Sequence, residues 1–130
     1  MGMIQPRENF IAAAEAENWS WIDENLRDQN ISVDDIRWVM EVAGTFGQGS
    51  NNYRDLAATY LVVSNRKLDA EETKRVLTWM RGDSYYIVVY RLAIALYKRG
   101  VRDKDVELFF GQALKDKDVG TVAAKYQKAA

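Results

Sequence analysis

One seven-residue pattern returns three times along the chain: Arg54-Asp55-Leu56-Ala57-Ala58-Thr59-Tyr60, Arg91-Leu92-Ala93-Ile94-Ala95-Leu96-Tyr97 and Gly120-Thr121-Val122-Ala123-Ala124-Lys125-Tyr126. The tyrosines are 37 and 29 residues apart. Self-similarity at such spacing constrains a chain to stacked helices, because one helix pair cannot bury its apolar face without a neighbour. In the pattern Arg-x-apolar-apolar-Ala-x-Tyr, the alanine lets helix axes approach closely. The tyrosine packs its ring and keeps its hydroxyl in water.

Capping signals and apolar periodicity divide the chain further. Pro6 suits the first turn of a helix over 7–17 that carries Phe10, Ile11, Ala13, Ala14 and Ala16. Ser20-x-x-Asp23 opens a short helix over 21–27, and Ser32 with Asp34 and Asp35 begins a third, with Ile36, Val39, Met40 and Ala43 on one face. Three glycines, Gly44, Gly47 and Gly49, then mark a loop separating an acidic front (1–46) from the repeats (51–130). A fourth helix over 52–64 presents Leu56, Ala57, Tyr60, Leu61 and Ser64. Asp69 and Glu72 form a capping box for a fifth over 70–81, with Thr73, Val76, Leu77 and Met80 on its face and a stop at Gly82.

The run Tyr85-Tyr86-Ile87-Val88-Val89-Tyr90 has strand-like composition, but the apolar stretch continues to Gly100. That length, from an Asp83 or Ser84 cap to terminal cations, predicts a central helix that is apolar nearly all round. Asp103 caps a helix with Val106, Phe109, Phe110, Ala113 and Leu114 on one face, and Asp118 caps a last one over 119–128. The order over the final 80 residues is A-B, A-B, A.

Composition narrows the chemistry. At 130 residues and 48% hydrophobic content, one domain is expected. Cysteine and histidine are both absent, which removes thiolate nucleophiles, histidine-based triads and most zinc sites. The acid pairs Asp34-Asp35, Glu71-Glu72 and Asp103/Asp105 each fall in a first helical turn, where the macrodipole accounts for them. No catalytic residue, metal site or cofactor is therefore assigned. The glycines of 44–49 lack the lysine and preceding strand of a phosphate-binding loop. No stretch reaches the ~20 apolar residues of a membrane span, and the start of the chain lacks signal-peptide order, so a cytoplasmic protein with no membrane contact is expected.

Residues 1–63 carry net charge −6 and residues 64–130 carry +5. Such asymmetry fits an acidic partner, head-to-tail stacking into a small oligomer, or solvated faces that merely differ. Basic residues gather near helix ends at Lys74, Arg75, Arg81, Lys98, Arg99 and Arg102, and aligned repeats would join them into a stripe able to meet phosphates. Trp19, Trp21, Trp38 and Trp79 are many for this length. Trp79 lies off the Thr73-Val76-Leu77-Met80 face, which makes it the expected partly exposed aromatic.

Arg91-Leu92-Ala93-Ile94-Ala95-Leu96, following Asp83, resembles the first helix of HEAT and armadillo-like repeats, with its Val-Arg-x-x-Ala-x-x-Leu run after an inter-repeat aspartate. Arg54-Asp55-Leu56-Ala57-Ala58 matches more loosely, and Gly120 replaces the arginine in the third copy, as suits a terminal repeat. The resemblance covers residues 51–129. It implies an all-α antiparallel stack of seven to eight helices, an α-α superhelix acting as a non-enzymatic binding or scaffold module for another protein. Trp79, Lys74, Arg75, Arg81, Lys98, Arg99 and Arg102 are its candidate partner-binding residues. The alternative is a nucleic-acid-associated repeat using the basic C-terminal half.

Overall fold

The computed structural model describes residues 50–127, together with Ala12 and Ala16. Among them run five helices and no strand: α1 (Ser50–Val63), α2 (Ala70–Gly82), α3 (Tyr86–Lys98), α4 (Lys104–Leu114) and α5 (Gly120–Gln127). The class is all-α, and the described residues do not support a count of seven to eight helices. Ala12 is helical, and its carbonyl accepts from the Ala16 N–H at 3.1 Å. The rest of what the sequence predicts for 1–49 lies outside the described residues: the helices over 7–17, 21–27 and from Ser32, the glycine loop, and Trp19, Trp21 and Trp38. The chain separates into two compact units, Met1–Tyr60 and Leu61–Ala130, whose boundary falls inside α1 rather than in the glycine loop.

Within the second unit, α3 is the axis. It packs against α2, α4 and α5, and α4 packs against α5. Val88, Leu92, Ala93, Ile94, Ala95 and Leu96 are fully buried, so the strand-like composition of 85–90 yields to a helix that neighbours cover on several sides. Each Leu or Ile so buried stabilises the fold by about 1.5–3 kcal/mol. Val76 and Met80 from α2, Val106, Phe110 and Ala113 from α4, and Val119 and Ala123 around α5 complete this core.

The helix ends follow local chemistry. Asp69 accepts from the Glu72 N–H at 2.8 Å and Glu72 accepts from the Asp69 N–H at 3.1 Å, the reciprocal capping box the sequence predicts. Tyr85 occupies the N-cap of α3 without a side-chain cap bond; Asp83 instead accepts the Tyr85 N–H at 2.9 Å. At the other end Gly100, with φ of +86°, donates to Tyr97 O at 3.0 Å and Val101 donates to Leu96 O at 3.1 Å. This paired closure needs a left-handed residue, which glycine supplies without a Cβ clash. Asp103 caps α4 by accepting from the Asp105 N–H at 2.8 Å.

The third copy of the repeat departs from the others in its turn and in the packing of its first residue. Asp116, not Asp118, organises the turn before α5, accepting from the N–H groups of Asp118 at 2.8 Å and Val119 at 3.0 Å. Gly120 is buried against the end of α4, where a Cβ would sit 3.0 Å from Leu114 O. Any side chain there would press on that carbonyl and require it to shift by a few tenths of an ångström. Ala58 and Ala95 are fully buried but Ala124 is exposed, so the alanine common to the three copies does not mark one packing site.

Candidate functional site

A groove of about 230 Å³ opens where the end of α2 and the start of α3 face α4. Met80, Val89 and Phe109 are among its apolar lining, and Arg81, Asp83, Ser84, Tyr86, Tyr90 and Gln112 surround them. Tyr86 is 48% exposed and Leu108, on α4 four residues before Gln112, is 53% exposed. Residues four apart on a helix are surface neighbours, so Leu108 extends the rim that Gln112 begins. Tyr90 donates its hydroxyl to Gln112 Oε1 at 3.3 Å, tying α3 to α4 across the groove. Tyr86 meets Tyr85 and Tyr90 edge-on, with ring centroids 5.7 Å apart in both pairs and interplanar angles of 74° and 72°. Partial desolvation, then the nearby carboxylates of Asp118 and Asp116, hold the Tyr86 phenol above its usual pKa.

Arg81 is one of the residues lining the groove. Its Nε donates to Asp105 Oδ2 and its Nη2 to Asp103 Oδ2, both at 2.8 Å. The hydrogen bond to Asp105 leads in raising the guanidinium pKa. The Asp105 N–H, with Arg81, holds the Asp103 carboxyl below the usual range. Trp79 is buried, at 9% exposure, and donates Nε1–H to Asp83 Oδ2 at 3.2 Å. The expectation of a partly exposed Trp79 is thereby corrected: the buried face of α2 is Val76, Trp79 and Met80, one position round from the face read in the sequence. Lys74 is exposed, and Arg75 lies 3.6 Å from Glu71 one turn back on α2.

The remaining candidates lie elsewhere and act within the chain. Arg99 donates to the carbonyls of Leu61 at 2.7 Å, Ser64 at 3.2 Å, Arg66 at 3.0 Å and Ala95 at 2.9 Å. Lys98 Nζ donates to Val62 O and Ser64 O, both at 2.8 Å, and sits 5.1 Å from the Tyr126 ring centroid. The last carbonyls of a helix have no partner within it, and here two cations from α3 and its C-cap supply donors for the end of α1. Burial, then Arg99 and Lys125, lower the Lys98 ammonium to about 8. Arg102 lies 3.7 Å over the Tyr97 ring, whose other face stacks on Phe110 at 3.8 Å.

The structure thus brings Arg81 to the groove beside buried Trp79. It leaves Lys74 and Arg75 on the outer surface of α2 and commits Lys98, Arg99 and Arg102 to contacts within the chain. Tyr85, Tyr86, Tyr90 and Leu108 escape the sequence reading, although Tyr86 and Tyr90 stand one helical turn apart, a spacing that puts both on one face. Among the described residues no cluster of three or more acids gathers as metal ligands would, and no helix is long and apolar enough to cross a membrane. Comparison with known protein families, curated proteins and solved structures finds no match to this chain.

Proposed function

We propose that the chain is a non-enzymatic, HEAT-like helical module that docks a protein partner on the α2–α3–α4 groove. The observation that carries this reading is the pair of large apolar side chains left in solvent, Tyr86 in the groove lining and Leu108 one turn from Gln112 on α4. Partly exposed aromatics over an apolar floor are the usual anchors of a protein interface. A groove this shallow and open suits a partner's side chains better than an enclosed small molecule, whose pockets run to roughly 300–1,000 Å³. Nucleic-acid contact, the alternative, loses support because Arg81, Lys98 and Arg99 already serve carboxylates and carbonyls of the chain itself.

Quantitative capture from cell extract with the wild type, a Tyr86→Ala/Leu108→Ala double variant and Lys74→Ala as control tests the reading. A partner retained by the wild type and Lys74→Ala but lost by the double variant is expected. Equal retention by all three proteins, or salt-dependent binding of oligonucleotides that the double variant keeps, overturns it.

A further inference from the structure

Where α3 gives way to α4, one arginine is held in place and only partly used. Arg102 lies 3.7 Å over the Tyr97 ring, and Tyr97 stacks in turn on Phe110, with centroids 3.8 Å apart and planes 4° from parallel. Phe110 is 3% exposed, so the stack is rooted in the core. Arg102 Nη1 carries two hydrogens and donates to two carbonyls, Tyr97 O at 2.9 Å and Val101 O at 3.2 Å. On the other edge of the guanidinium, Nε–H and one Nη2–H point the same way. Among the described residues nothing accepts a hydrogen bond from that edge, and Arg102 is exposed. A guanidinium is a rigid planar fork, so fixing one side of it aims the other.

The chain itself shows what such an edge takes. On Arg81 the same two nitrogens donate to carboxylates, Nε to Asp105 and Nη2 to Asp103, both at 2.8 Å. Charge in the turn also favours an acid: residues 98–107 carry Lys98, Arg99, Arg102 and Lys104 against Asp103, Asp105 and Glu107, and both aspartates are already paired with Arg81. The N–H groups of Arg99 and Val101 donate to Leu96 O and that of Gly100 to Tyr97 O, so these three form no cradle for a tetrahedral phosphate. Two coplanar donors match a planar carboxylate instead. We propose that the Nε–Nη2 edge of Arg102 is a preformed receptor for the carboxylate of an aspartate or glutamate side chain presented by a protein partner. The ring stack and the two carbonyl bonds hold the side chain beforehand, which leaves it little rotamer freedom to lose on binding. Arg102 is not among the residues lining the groove, so this contact is separate from the one proposed above and does not rest on it.

The probes are the capped peptide acetyl-Gly-Gly-Glu-Gly-Gly-amide and its glutamine counterpart, which keeps the shape and removes the charge. Each is titrated at constant ionic strength into isotope-labelled protein, in slightly acidic buffer where the arginine Nε–H protons exchange slowly enough to follow. The glutamate peptide is expected to shift the Arg102 Nε–H resonance saturably and to leave that of Arg81, already paired, in place; the glutamine peptide should move neither. Arg102→Lys, which keeps the charge and removes the fork, should weaken glutamate binding by about threefold or more. Lys104→Ala, which removes a neighbouring cation, should weaken it by less than about twofold. Equal shifts with the glutamine peptide, or glutamate shifts no larger at Arg102 than at the exposed Lys67 and Lys125, overturn the proposal; both are read on the wild type and so do not depend on any variant folding. Inorganic phosphate that moves Arg102 more than the glutamate peptide does at equal concentration overturns the carboxylate assignment.

Discussion

Replacing Arg99 by alanine removes one guanidinium from four backbone carbonyls at once. Three of them, Leu61 O, Ser64 O and Arg66 O, belong to the end of α1 and the segment after it, and the fourth, Ala95 O, to the body of α3. The side chain is half-buried, so water can reach only part of the space it leaves. At about 1 kcal/mol net for each of the three distant carbonyls, the loss is about 3 kcal/mol, with a ceiling of about 5 if none is rehydrated. Against a typical total of about 5–15 kcal/mol this is a large fraction, and it corresponds to a melting-point drop of about 10–15 °C. Arg99→Lys keeps the charge but not the fork and should recover part of the loss. Lys74→Ala, on the exposed side of α2, should stay within about 0.5 kcal/mol. Urea and thermal unfolding followed by circular dichroism measure all three. A loss below about 0.5 kcal/mol for Arg99→Ala would refute the capping role and return Arg99 to the pool of free surface cations.

Three further outcomes follow from the helix ends. The Lys98 ammonium titrates near 8 in the fold against 10.5 for an ordinary lysine, so between these values the unfolded chain binds more protons and stability rises with pH. The contacts of its Nζ with Val62 O, Ser64 O and the Tyr126 face favour the ammonium and temper the effect. The urea midpoint of the wild type should therefore climb relative to Lys98→Met from pH 8 to 9.5, and a flat difference would contradict this. Asp69→Ala removes the capping box and should cost about 1 kcal/mol, visible as a lower urea midpoint at unchanged slope. Gly100→Ala forces a Cβ into the left-handed region and should destabilise by about 1 kcal/mol, although nothing lies within 4 Å of that Cβ; an unchanged midpoint would mean the turn adapts.

Local chemistry made much of this fold legible. The Asp69 box, the Asp103 cap and the glycine stop at 100 all depend on residues within one or two turns of each other. Periodicity and capping rules address that range. What escaped was tertiary. Lys98 and Arg99 look like ordinary C-terminal cations of α3, and only the arrival of residues 61–66 beside them turns them into donors for another helix. Asp118 is the nearer acid to α5 in sequence, and the sequence does not show that the Asp116 carboxylate reaches the N–H groups of Asp118 and Val119. For the candidate site the sequence pointed to charge, and the structure points to aromatic rings. Tyr86 and Tyr90 were absorbed into a run that also supplies the core, and their exposure depends on where α4 stops covering α3.

Site-specific photocrosslinking in cells bears most directly on the central claim, that the α2–α3–α4 groove is where this chain meets its partner. A benzophenone amino acid placed at position 86 is predicted to form a discrete adduct with another polypeptide, and the same group at position 74 is predicted to form none. An adduct of equal yield from both positions, or crosslinking to nucleic acid alone, would contradict the account.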